Sequence, residues 1–100
     1  MNAQPSIIID TAASLRVQSI NPKMYTSKGR LTRYALSCGY VERYVFHSAR
    51  YTHEVRMHME HGVIFVRCEH GDVLYSGNDL QQARCAFDAE RNAIRSTFRA

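Results

Sequence analysis

Between Thr52 and Glu69, apolar and polar residues alternate on either side of the dipeptide His61-Gly62. A period of two marks a half-buried strand. A two-residue loop with glycine in second place is a common tight hairpin. Pairing Glu60 with Val63 and counting outward sets Met59 against Ile64, Met57 against Val66 and Val55 against Cys68, all on one face. The other face gathers His58 with Phe65, Arg56 with Arg67 and Glu54 with Glu69. Turn chemistry and hydrophobic pattern select the same register independently. A second Glu-His-Gly, at Glu69 to Gly71, predicts the next turn and a strand from Val73 to Tyr75.

After Gly77 the period changes. Leu80, Ala83, Ala86, Phe87 and Ile94 form an apolar stripe at helical spacing, with Arg84, Asp88, Arg91 and Arg95 on the polar side. This predicts a helix from Asn78 to Thr97, capped by Asn78 with Gln81 completing a box-like start. Arg91 and Arg95 near its end complement the macrodipole. The stripe should lie on the Met57/Met59/Ile64/Val66 face, burying Phe87 and Ile64 between helix and sheet. Upstream, Arg30–Leu36 and Tyr40–Phe46 are rich in strand formers and flank Ser37-Cys38-Gly39, which predicts a hairpin whose register stays open. Ile7-Ile8-Ile9 reads as a short strand. The stretch from Ala12 to Ile20 suits either a helix capped by Asp10 or a strand through Leu15 and Val17. Asn21-Pro22 ends that element, and Tyr25 to Gly29 reads as a linker. The expected fold is α+β: an antiparallel β-meander of about four strands with one C-terminal helix packed on one face. Residues 1–28 form an N-terminal arm and 29–100 a single domain.

Composition narrows the class. One hundred residues, 45% of them hydrophobic, suit one folded domain and not a disordered chain. No apolar run approaches the roughly 20 residues that span a bilayer, and no basic segment precedes Ile7-Ile8-Ile9 as in a signal peptide. Three widely spaced cysteines, Cys38, Cys68 and Cys85, suit reduced thiols in a cytoplasm rather than a disulfide framework. The net charge is +4, and eleven arginines stand against two lysines. Arginine grips phosphates and carboxylates bidentately. The bias fits a surface for nucleic acid or an acidic protein patch, and equally a solvated surface in an arginine-rich chain.

Candidate chemistry is sparse. His61 and His70 fall at opposite ends of one strand, about 25–30 Å apart at ~3.3 Å per residue. His58 and Cys68 point to opposite faces, so no tetrahedral ligand set can be drawn and no metal or other cofactor is expected. Cys68 and Cys85 lie on or near the predicted core, where thiols are inert. There is no phosphate-binding glycine loop and no zinc-protease motif, so the chain does not read as an enzyme. What remains is the sheet face opposite the helix, with Arg56, His58, Phe65 and Arg67. Arg56 directly opposite Arg67 is costly unless an anion sits there, although Glu54 and Glu69 could neutralise the pair. Arg84, Arg91 and Arg95 on the helix make a second candidate patch.

Three segments, Gly29 to Glu42, Gly62 to Arg67 and Leu80 to Phe87, taken in that order resemble a set of short bacteriophage proteins that carry a Leu-Thr…Cys-Gly-Tyr-Val hairpin, a second hairpin and a helix with an Ala-Arg stretch. The resemblance covers about residues 29–90. It implies a phage-encoded inhibitor acting in the host cytoplasm by surface occupation, of the kind that blocks CRISPR surveillance complexes, nucleases, restriction enzymes or polymerases. The partner would be a host protein or ribonucleoprotein complex, and no membrane. The alternative is a small arginine-rich module that binds nucleic acid directly. On the metal question the expected outcome is that the purified protein carries no stoichiometric zinc by elemental analysis; a one-to-one signal would contradict the reading of the histidines and cysteines.

Overall fold

The computed structural model describes residues 8–10 and 22–98. Five strands form one sheet in the order β1-β2-β3-β4-β5: Ile8–Asp10, Val41–His47, Thr52–Glu60, Val63–Cys68 and Val73–Gly77. Strands β2 to β5 are the antiparallel meander that the alternation predicts. The β3–β4 register agrees from Glu60/Val63 to Val55/Cys68: Met59 pairs with Ile64, Met57 with Val66, His58 with Phe65 and Arg56 with Arg67, while the expected Glu54–Glu69 pair lies beyond the end of β4. At the turn His61 and Gly62 both have positive φ, 51° and 80°, which a two-residue hairpin loop of this hand requires. The second Glu-His-Gly also turns the chain, and Gly71 at φ 86° donates its N–H to the Cys68 carbonyl. Strand β1 adds a fifth, parallel member against Val41–Arg43. Ile8 and Ile9 come from the isoleucine run read as a strand, and Asp10 extends it by one residue. The alternatives for Ala12 to Ile20 lie outside the described residues.

Two expectations upstream are corrected. Arg30–Leu36 is not a strand of a hairpin: Arg33–Ser37 is a short helix, α1. The Thr32 hydroxyl accepts from the Ala35 N–H at 3.2 Å, capping the first turn. Gly39 at φ 96° ends it, donating its N–H to the Leu36 carbonyl. Nor is Tyr25 to Gly29 a plain linker. Tyr25 bridges to Leu31, the intervening turn closes through Gly29 N–H to the Thr26 carbonyl, and Met24 and Tyr25 are buried. The core therefore reaches into the segment before Gly29.

The C-terminal helix, α2, spans Leu80–Phe98 and packs against the sheet. Its cap is Asp79 rather than Asn78: the Asp79 carboxylate accepts from the N–H groups of Gln81 at 2.9 Å and Gln82 at 3.2 Å. Ala83, Phe87 and Ile94 are buried against Val55, Met57, Ile64 and Val66, as the two periodicities require, while Leu80 and Ala86 pack at the margin. Leu31, Ala35 and Leu36 fill the same layer beside α2.

One buried residue has no apolar explanation. Glu42, in β2, is 0% exposed on the helix side of the sheet. Its Oε1 accepts from the Leu31 N–H at 3.1 Å and from Arg84 of α2 at 3.2 Å. A buried carboxylate persists only when paired in this way. Removing one partner of such a pair costs about 3–5 kcal/mol, much of it for the charge left behind. Arg84→Met should therefore destabilise the domain by about that amount in urea denaturation. Adding Glu42→Gln should recover part of the loss by removing the stranded charge; a double variant no more stable than Arg84→Met would contradict this account.

Candidate functional site

The alternation that buries Val55, Met57, Ile64 and Val66 turns their neighbours to the other face of the sheet. There Arg56 is the cross-strand partner of Arg43 on one side and of Arg67 on the other. Three arginines thus run in a row across β2, β3 and β4, each about 4.8 Å from the next along the hydrogen-bonding direction. Arg43 was missed in the sequence because the register of β2 could not be read, and Val41 and Val45 on its own face with Glu42 on the other gave the alternation no usable signal.

The row does not stand as naked like charge. Glu54 lies between two of its members: Arg43 Nη2 donates to its Oε1 at 3.2 Å, and Arg56 Nη1 to its Oε2 at 3.3 Å. Glu69 is held by the Glu54 backbone N–H at 2.8 Å, and that bond draws its carboxyl below the ordinary value. Arg67 is placed differently. Its guanidinium lies over the Phe65 ring at 4.6 Å from the centroid, its Nε donates to His58 Nε2 at 3.2 Å, and its Nη1 donates to the Gly71 carbonyl at 3.2 Å. Among the described residues no carboxylate reaches Arg67 within ion-pair distance. His58 stacks on Phe65 with centroids 5.6 Å apart, and its Nδ1 faces Glu60 at 3.5 Å. Accepting from Arg67 requires an unprotonated Nε2, so this arrangement holds the neutral imidazole with its proton on Nδ1. Arg56, His58, Glu60 and Arg67 line a shallow depression of about 380 Å³ that extends to Gly39 and Val41.

Arg56, His58, Phe65 and Arg67 are therefore brought together as the sequence predicts. The helix arginines are not a matching patch. Arg84 is turned inward onto Glu42, Arg91 reaches Asp88 at 3.5 Å and Asn92, and Arg95 is exposed near the end of α2. Among the cysteines, Cys68 has its thiol pushed up to about 11 by burial and by Glu90, which holds it as an inert thiol. Among the described residues no three histidine, cysteine or acidic side chains gather as a metal site, and no helix is long and apolar enough to cross a membrane.

Comparison with known protein families, with characterised proteins and with solved structures finds no match to this chain.

Burial lowers the His58 imidazole below its ordinary value of 6.5; Glu60 opposes this, and Arg67 and Arg56 add to it. A histidine depressed in the folded state contributes stability that is present above its unfolded value and lost as pH falls through its folded one. The His58 ring should titrate below 6.5 in an NMR pH series. Stability should decline over the same window, and less so in His58→Gln. Titration of His58 at or above 6.5 would contradict the geometry around Arg67.

Proposed function

We propose that this protein is a small binding protein that inhibits a host nucleic-acid-processing or defence complex by occupying its surface, and that the open face of the sheet is the contact. The observation that carries the reading is the arginine row with Arg67 locked between Phe65, His58 and the Gly71 carbonyl. Interfaces draw most of their energy from a few rigid aromatic and arginine anchors. Here such an anchor is already ordered, so little side-chain entropy remains to be lost on binding. The resemblance to phage proteins supplies the setting, the host cytoplasm.

The same geometry favours an acidic protein surface over a bare nucleic-acid strand. Phe65 is stacked by His58 and covered by Arg67, so it is not a free platform for a base. Glu54, Glu60 and Glu69 are interleaved with the arginines. A phosphate track is normally more uniformly positive, whereas mixed charge around an aromatic centre is the anatomy of a protein interface.

The test is capture from a bacterial host lysate, with and without nuclease. One host complex should be recovered in both. Arg56→Glu with Arg67→Glu should weaken its capture by about a hundredfold or more, each anchor contributing on the order of 2 kcal/mol, with an unchanged circular dichroism spectrum. Loss of capture on nuclease treatment would instead assign the face to nucleic acid, and its affinity would then fall with salt by roughly one log–log slope unit per phosphate. Undiminished capture by the double reversal would remove the open face from consideration.

A further inference from the structure

The other side of the sheet holds a second concave surface, a groove of about 470 Å³ between the Thr26–Arg30 turn and the exposed flank of α2. Its helix wall is Gln81, Arg84, Cys85 and Asp88, spaced at i, i+3, i+4 and i+7, which places all four on one face. Its opposite wall is a turn that the Thr26 hydroxyl organises by accepting from the Lys28 and Arg30 N–H groups at 3.3 and 3.2 Å. Lys28 and Arg30 of that turn and Arg84 of the helix all line the groove.

Two of these cations are fixed before any ligand arrives. Arg30 is tied to Asp88, and Arg84 to the buried Glu42. Three cations line the groove, Lys28, Arg30 and Arg84, against the carboxylates of Asp88 and Glu42, an excess of one positive charge, and Arg91 reaches Asp88 from outside the lining. Arg84 Nη2 and Glu42 Oε2 are both buried without a hydrogen-bond partner. Such groups are uncommon enough to point to a missing partner such as a bridging water.

We propose that this groove binds a small phosphomonoester, its phosphate held by Lys28, Arg30 and Arg84. A phosphomonoester carries close to two negative charges at neutral pH and three acceptor oxygens, which suits a groove lined by three cations, of which Lys28 is exposed. The groove is of small-ligand size. The site is separate from the open face and does not depend on the function proposed for it.

Cys85 provides the readout: contrary to its expected place near the core it is the exposed cysteine, because it falls beside the apolar stripe of α2 on the groove wall, whereas Cys38 and Cys68 are half-buried. The full chain is alkylated with N-ethylmaleimide in chloride, in inorganic phosphate, in glycerol 3-phosphate and in adenosine monophosphate at matched ionic strength, with Cys85 modification followed by mass spectrometry. At least one monoester should slow Cys85 alkylation where chloride does not, and calorimetry should show the same ligand binding. Lys28→Ala removes an exposed charge without touching the core and should weaken the effect about tenfold. Arg56→Glu should leave it unchanged. Shielding by inorganic phosphate but by neither monoester would mean an adventitious ion only and would overturn the proposal. Equal shielding by chloride, or full shielding in Lys28→Ala, would overturn it as well.

Discussion

The buried carboxylate of Glu42 is the constraint on which the rest of the arrangement turns. It sits in the middle of the apolar layer, fully withdrawn from water, and it takes bonds from the Leu31 backbone and the Arg84 guanidinium at once. Those partners belong to the crossover between β1 and β2 and to α2. Three parts of the chain that share no local sequence signal are thereby seated against one another at a single point. Apolar contacts such as Phe87 on Met57 and Ile64 supply most of the stabilisation, but they tolerate sliding. Hydrogen bonds to one oxygen atom do not, since their strength falls steeply with distance and angle.

Glu42 also decides how the arginines are divided. By drawing Arg84 inward it takes that residue from the solvent-facing side of α2 and makes it the back of the Lys28–Arg30 groove. Because Glu42 lies on the helix side, its neighbours Val41 and Arg43 fall on the other side, and Arg43 is brought beside Arg56 and Arg67. One residue's orientation in β2 therefore sets both positive surfaces, on opposite sides of the sheet. The open face is mixed in charge and ordered around Phe65; the groove is richer in positive charge and hydroxyl groups.

The strongest parts of the fold were legible because two local codes agreed there. In β3 and β4 the period of two and the His61-Gly62 turn specify the same pairing. In α2 the stripe through Ala83, Phe87 and Ile94 specifies which side is buried. Where only one code was read, the reading failed. Arg30 to Leu36 is rich in residues that favour strands, yet Thr32 at its start and Gly39 beyond its end are helix-capping residues, and the chain follows the caps. At the start of α2 both Asn78 and Asp79 are competent caps, and one residue of offset lay beyond what composition could resolve.

The sequence by itself determined the meander, the register of its central hairpin, the terminal helix and the meeting of Arg56, His58, Phe65 and Arg67 on one face. All of these follow from spacings of a few residues, which fix the direction of a side chain once the local period is known. Only the tertiary structure decided the burial of Glu42, the place of Arg43 in the row, the inward turn of Arg84 and the groove that Lys28 and Arg30 share with α2. Those features join residues 11 to 58 positions apart. A charged side chain found in a strand or on a helix reads as solvent-facing until its partner is known, and the partner comes from the way elements stack in space, not from their order along the chain.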